Sequence, residues 1–494
     1  MRIFLCALLL WISTGAALRA QSVEIRLDPD VAPERFSGRV YLFFSKEKAE
    51  PRIDVAWFDP EPIVALDVDD WKTEAGPLRF SLNSEGLLLF PNDLMVEDLK
   101  GLRAQAVVRL NPLERRVPDG PGNGFSAPIV LDEGEPTVFL VDQVVPQPPF
   151  PETRWTRELR VPSKLLSDFH GRDVTINASV TVPESYFSEP ARRYPVILEV
   201  PGFGGTHQIA IHEKPVREKN RLGVEFLRVM LDPSCPLGHH AFANSANNGP
   251  WRDALIEEFL PELDRQYRTS LGPSGRFLTG HSSGGWSSLW LMVTSPDHFA
   301  GTWSTAPDPV DFRDFQQIDL YRDDNMYVDA DGNRRPLARM NGRVVLWYDR
   351  FCRFEDVLGP GGQLHSFEAV FSPRGPNGSP VLLWDRETGE IDHEVAETWR
   401  QYDINELLRR NWETLGPKLQ GKLHVYMGTE DTFYLEGATR NLKETLAELG
   451  SDAEVQLVPD RNHFNLFNGG LHDQIEQEMA EQYLESRMPV LQND

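Results

Sequence analysis

Two rhythms of apolar and polar positions divide the chain. From residue 23 to about 145 the apolar positions come in short runs, Val40–Phe44, Leu87–Phe90, Ala104–Leu110 and Thr137–Val141, separated by Pro, Gly and Asn-Asp turns. Runs of that length between turn residues predict strands, and their spacing predicts an antiparallel β-sandwich over 23–145. Val145-Pro146-Gln147-Pro148-Pro149-Phe150-Pro151 is proline-rich and reads as an extended linker, which places a domain boundary at 146–152. Beyond it, over 153–490, the rhythm changes to alternating strand and helix patterns. Tyr194–Val200 and Lys422–Met427 are nearly continuous apolar runs, and Glu454–Pro459 is a further strand. Asp253–Gln266 carries Leu255, Ile256, Phe259 and Leu263 at helical spacing, and Leu435–Leu449 is a second helix closed by Gly450. That alternation implies an α/β fold with a mostly parallel sheet covered by helices.

One turn in this second region carries chemistry. Gly280-His281-Ser282-Ser283-Gly284 lies between the apolar run Arg276–Thr279 and a helix-like run, Trp286–Val293. A strand that becomes a helix within one residue strains the turn residue, and flanking glycines let it stand clear of the sheet. This is the G-x-S-x-G nucleophile elbow, with Ser282 at its tip. A serine hydroxyl needs a base beside it, and the base needs an orienting carboxylate. Both follow in the expected order, each just past a later strand: Asp431 in Gly428-Thr429-Glu430-Asp431, and His463 in Asn462-His463-Phe464. Glu430 is the rival orienter, but the shorter Asp431 holds a ring more firmly. His281 adjoins the serine and is expected to pack beneath the turn.

An oxyanion hole needs the backbone N–H after the nucleophile and another from a loop after an earlier strand. Ser283 offers the first. Gly202 or Phe203, in the loop Pro201-Gly202-Phe203-Gly204-Gly205, offers the second. That loop lacks the Lys-Ser/Thr of a P-loop and the spacing of a dinucleotide fingerprint, so a nucleotide is not expected. Aromatics beside these motifs, Trp251, Phe433 and Tyr434, are candidates for the substrate pocket, and the Gly-, His- and Asn-rich loop from Cys235 to Trp251 is a candidate wall.

From Ala178 onward the chain resembles the putative esterase family of the α/β-hydrolases, the esterase D and enterochelin-esterase-like branch. The resemblance rests on Val180-Thr181-Val182-Pro183, Arg193-Tyr194-Pro195-Val196 with its glycine loop, Gly280 to Gly285, Gly428 to Asp431 and Asn462 to Phe464. It implies a doubly wound α/β-hydrolase domain, to which the β-sandwich expected from the turn spacing is added, and a catalytic triad of Ser282, Asp431 and His463. It implies cleavage of a carboxylic ester, small or polysaccharide-linked, with no cofactor and no metal. A peptidase or amidase of the same fold, or a non-catalytic glycan- or envelope-binding protein, are the alternatives. The departures from the family are the N-terminal region and a long segment between elbow and acid, Asp308–Trp412, expected to cap the serine. Within that segment Asp329-Ala330-Asp331-Gly332-Asn333 resembles the opening of a calcium loop. Arg339 and Met340 stand where its glutamate is required, so a tight hairpin turn is expected, with a second at Trp384–Glu390.

Charge and compartment narrow the partners. Met1-Arg2, the apolar run Ile3–Ile12 and the small-residue tail to Ala20 form the pattern of a signal peptide over 1–20, implying a periplasmic or extracellular enzyme. The run is shorter than the ~20 residues of a membrane span, so no stable membrane insertion is expected. A net charge of −25 repels nucleic acid and argues against a polyanionic substrate unless the cleft is locally basic. Of three cysteines, Cys6 leaves with the leader. Cys235 and Cys352 remain, either as one disulfide or as two buried thiols. Oligomeric state is not written in the sequence.

Overall fold

The computed structural model describes residues 22–31, 33–131 and 137–488; the expected leader, 1–20, lies outside them. The chain forms two compact units. The first reaches to Ala56 and takes in Pro60–Leu110 and Gly122–Val145. The second holds Trp57–Asp59, Asn111–Pro121 and the chain from Pro146 onward. The chain therefore passes into the second unit for good at the proline-rich linker, but two short segments from within 23–145 already belong to it.

The first unit is a sheet-rich domain. Its nine strands form one hydrogen-bonded sheet, ordered Leu78–Ser81, Ser22–Leu27, Thr137–Val144, Gly124–Ser126, Arg103–Val108, Arg35–Ser45, Ile63–Lys72 and Leu88–Phe90, with Ile129–Val130 paired to Arg103–Val108. Pairing is antiparallel except between Ser22–Leu27 and Thr137–Val144. Alternate residues, among them Val40, Leu42 and Phe44 on one strand and Ala104, Ala106 and Val108 on the next, close one core with Val23, Ile25, Phe139 and Val141. Period-2 patterning thus sets which side chains meet.

The second unit is built on an eight-stranded sheet, ordered Thr156–Pro162, Thr175–Thr181, Leu227–Leu231, Val196–Val200, Arg276–His281, Gly301–Thr305, Leu423–Gly428 and Glu454–Val458. The first two pairings are antiparallel, and every later pairing is parallel. The near-continuous apolar runs are the strands buried on both faces, as parallel strands under helices must be. The helix Leu471–Glu485 covers one face, setting Ile475, Met479 and Ala480 against Phe226, Phe277, Trp303 and Tyr426.

The helix after the elbow, Ser283–Thr294, is buried from Ser283 to Val293, which explains why its sequence is apolar on every side. Gly284 lets it approach the sheet: a Cβ there would stand 1.8 Å from the Val200 carbonyl oxygen. The expected helix at 253–266 is two α segments, Trp251–Ala254 and Leu260–Gln266, joined by a wider turn over Leu255–Phe259. Pro261 has no N–H to donate one turn back, so the hydrogen-bond ladder slips there.

The segment from Asp308 onward carries the hairpin Pro336–Met340/Arg343–Trp347 and the helices Tyr348–Leu358, Gln363–Phe371 and His393–Trp399, and a last helix, Ile404–Leu419, leaves it. Both expected turns are present. Val328 bridges Arg334 around a loop in which Asp329 accepts the N–H groups of Asp331 and Asn333, and Trp384 bridges Ile391. Among the described residues no helix is long and apolar enough to cross a membrane. Cys235 and Cys352 are free, which corrects the disulfide option: each sulfur has found other company. Tyr327 Oη donates to Cys352 Sγ at 3.0 Å, Cys235 Sγ donates to Asn248 Oδ1 at 3.5 Å, and burial pushes both thiols up to about 12.

Candidate active site

Ser282 sits between strand Arg276–His281 and helix Ser283–Thr294 with φ 60° and ψ −125°, a conformation that costs a non-glycine residue free energy. Three backbone bonds hold it there. Its N–H donates to Thr305 O at 3.0 Å, and its carbonyl accepts from Trp286 N at 3.0 Å and Asp308 N at 3.3 Å. The hydroxyl is half-buried and opens onto a cavity of about 570 Å³.

Asp431 and His463 meet. Each lies just past the end of its strand, and His463 Nδ1 is 2.8 Å from Asp431 Oδ2. The other carboxylate oxygen, Oδ1, accepts Phe433 N–H at 2.8 Å, so both oxygens are engaged and the fully buried group is fixed. Glu430, the rival, points to the surface and stands 3.8 Å from Arg339. His463 is buried on the cavity wall, its ring 4.9 Å from Phe433 and 4.6 Å from His281. Burial pulls its pKa down, but the charge and hydrogen bond of Asp431, with the charge of Asp308 behind them, outweigh burial and hold it above its ordinary value.

The hydrogen bond that Ser282 Oγ donates runs to Asp308 Oδ1, at 3.4 Å. Asp308 is 6% exposed; its Oδ2 accepts the Ser283 hydroxyl, and Gln363 Nε2 at 3.3 Å. Burial raises its pKa to about 6 against the relief given by Ser283, His463 and Ser282. Two ionisable carboxyls, one fully clamped and one desolvated, thus flank the same imidazole.

The loop after Val196–Val200 passes close by the elbow. A Cβ on Gly202 would lie 3.3 Å from Ser282 Cβ, and Gly205 N–H turns back to Gly202 O at 3.0 Å through Gly204, whose φ of +91° suits glycine. Gly202 and Phe203 line the cavity with Ser282, and Ser283 opens the following helix.

The sequence model of the "Putative esterase" family matches residues 170–474. The chain belongs to that family. Its coarse activity follows: it is a hydrolase of the esterase type, on an α/β-hydrolase fold. No curated protein matches it by sequence. Among solved structures it is similar to a ferulic acid esterase at 13% identity, covering 66% of this chain and 98% of that one with a TM-score of 0.41. It is also similar to an S-formylglutathione hydrolase from Agrobacterium tumefaciens at 15% identity (66% and 95% covered, TM-score 0.39). A third is FphF, a fluorophosphonate-binding serine hydrolase of Staphylococcus aureus, at 14% identity (66% and 98%, TM-score 0.40).

Several candidates in this esterase stand elsewhere than expected. Phe433 lines the cavity, but Trp251 and Tyr434 do not. Trp251 is buried flat against His240, with ring centroids 3.6 Å apart, and Tyr434 turns its ring under Arg339. The loop from Cys235 to Trp251 buttresses rather than walls the site: His239 Nε2 donates to Pro201 O at 3.1 Å, behind the glycine loop. His281 is among the residues lining the cavity; its ring lies 4.6 Å from that of His463 and 5.3 Å from that of Phe467 and contacts Thr305 Oγ1 at 3.2 Å, and burial, then His463, lower its pKa to about 3. Sequence reasoning missed Asp308, though a carboxylate three residues past the strand next to the elbow was a signal. It also missed Trp57, Phe58, Arg115 and Arg116, which line the cavity from the two short segments, 57–59 and 111–121, that lie before the matched region.

Proposed function

We propose that this esterase is an exported serine hydrolase that cleaves a carboxylic ester through an acyl-enzyme on Ser282. The observation that carries the reading is the 2.8 Å contact of His463 Nδ1 with a clamped Asp431, on the wall of the cavity into which the strained Ser282 opens. With Nδ1 committed to the carboxylate, Nε2 is the nitrogen left to take a proton. In the resting state the serine hydroxyl leans on Asp308 through a long bond, 3.4 Å, which it must give up to donate to the imidazole. Attack on the acyl carbonyl transfers the serine proton to His463. The developing oxyanion is met by N–H groups at Ser283 and at Gly202 or Phe203, each worth about 3 to 4 kcal/mol in such sites. His463 returns the proton to the departing alcohol, and water then releases the acid by the same steps in reverse.

The substrate is a small or polysaccharide-linked ester, met outside the cytoplasm if the leader over 1–20 directs export. The test is turnover of p-nitrophenyl acyl esters together with stoichiometric labelling by a fluorophosphonate. Wild type should turn over and label once, and Ser282→Ala should do neither. Labelling of Ser282→Ala at the wild-type rate would overturn the assignment.

A further inference from the structure

The cavity at Ser282 is apolar on most sides, with Trp57, Phe58, Phe203, Phe351, Phe433 and Phe464 in its lining. Trp57 ties the wall together: its ring stacks on Phe203 at 5.7 Å and meets Phe351 edge-on at 5.1 Å. Phe58 stacks on Phe433 at 6.1 Å. Into this wall the second short segment brings two cations, Arg115 and Arg116. The Arg115 guanidinium lies 5.0 Å over the Phe203 ring and within 3.8 Å of where a Cβ on Gly204 would be, beside the glycine loop.

What sets Arg115 apart is its lack of a bonded carboxylate. Other shielded arginines of this unit have carboxylates: Arg228 has Glu476 at 2.7 Å, Arg339 has Glu436 at 2.6 Å, and Arg386 has Glu368. Arg116, its neighbour on the same cavity, reaches Glu114 at 3.4 Å and Asp119 at 3.5 Å. Among the described residues Arg115 makes no ion pair and no hydrogen bond, in a chain with 75 acidic residues against 50 basic ones. Burial is the first cause of the downward pull on its pKa, and the charges of Glu114 and Asp232, neither of them bonded to it, offset that pull only in part.

We propose that Arg115 and the aromatic wall form a substrate subsite for an ester whose aromatic or otherwise flat apolar part carries a carboxylate or other anionic group, a selectivity that rests on the ester-cleavage reading above. The flat part lies between Trp57, Phe203 and Phe433, and the anion lies on the glycine-loop side, where the guanidinium presents its fork of donors. The overall charge of the chain disfavours anions, and this cleft reverses that sign locally. Trp57 and Arg115 come from segments that precede the region matched by the family, whereas Phe203 and Phe433 lie within it.

The test uses pairs of esters that differ only in charge. Monomethyl terephthalate is set against methyl 4-methylbenzoate for an anion on the acyl side, and 4-carboxyphenyl acetate against 4-methylphenyl acetate for one on the alcohol side. Wild type should favour the anionic member of at least one pair by about tenfold or more in kcat/KM, expressed mainly in KM. That ratio should collapse toward one in Arg115→Gln and recover in part in Arg115→Lys. A ratio near one in wild type, or one that survives Arg115→Gln, overturns the subsite. Direct binding of terephthalate to Ser282→Ala protein, by calorimetry, separates this failure from failure of the esterase reading. Binding that weakens about tenfold or more when Arg115→Gln is added supports the subsite even if no ester is turned over, and unchanged or absent binding refutes it.

Discussion

Asp308→Asn tests how the charge at the elbow is balanced. The carboxyl is 6% exposed and has a pKa of about 6, because burial costs its charged form more than Ser283, His463 and Ser282 return. An unfolded aspartate titrates near 3.9, so the native state holds this proton about two units more tightly. Between pH about 4 and about 6 the native chain therefore binds more protons than the unfolded one, and stability falls as pH rises through that window. Above it the ionised group costs about 3 kcal/mol. Asparagine is neutral and close in shape. It keeps one acceptor oxygen, while its amide requires the Gln363 side chain to turn over, which takes back on the order of 1 kcal/mol. The Asp308→Asn protein should thus be more stable than wild type by about 2 kcal/mol at pH 7.5 and no more stable at pH 4. Urea unfolding followed through the buried Trp286 and Trp303 of the second unit, at both pH values, reads the difference. A variant whose stability relative to wild type is lower at pH 7.5 than at pH 4 would refute the reasoning, since it would mean that the ionised carboxylate is a net stabiliser.

The remaining expectations concern the base, the triad and the packing of the elbow. The pKa of His463 is held above 6.5 by Asp431 and Asp308 against the pull of burial, and the base must be neutral, so the acid limb of kcat/KM should lie above pH 6.5. Asp431→Asn should move that limb down as well as lowering kcat, and a limb that stays in place would point to another titrating group. Ser282→Ala and His463→Ala should each lower kcat by a factor on the order of 10⁴ to 10⁶, with the double variant hardly worse than either in the same assay; additive losses would contradict a triad acting as one unit. Gly284→Ala should abolish soluble, folded protein on expression, because its Cβ would meet Val200 O at 1.8 Å; a variant of wild-type melting temperature would show that the helix can shift away.

The residues that the sequence made legible are those whose roles are local. The elbow could be read because a strand, a glycine-flanked serine and a helix are consecutive, and Ser282 does adopt the strained backbone that such a junction demands. Asp431 and His463 could be read because each follows its strand by a few residues, and parallel strands deliver such positions to one edge of the sheet. Pocket aromatics could not be read in this way. Trp251 and Tyr434 neighbour the motifs in sequence but turn into the interior, whereas Trp57 and Phe58 lie far away in sequence and reach the cavity. Proximity along the chain says little about side-chain direction, since adjacent residues on a loop can face opposite ways.

Asp308 illustrates a different limit. In the sequence it stands as the first residue of an insertion and so as the start of something separate from the core. In the structure the chain leaves strand Gly301–Thr305 through Ala306, at φ 40°, and Asp308 N–H bonds the carbonyl of Ser282 before any inserted element begins. The boundary between the sheet and the inserted segment is thus drawn at the serine itself. A residue on that boundary inherits the rigidity of the strand and the freedom of the loop to carry any side chain. That is why an unanticipated carboxylate can stand beside the nucleophile without disturbing the geometry of Asp431 and His463, and why its effect should be sought in pH dependence before it is sought in rate.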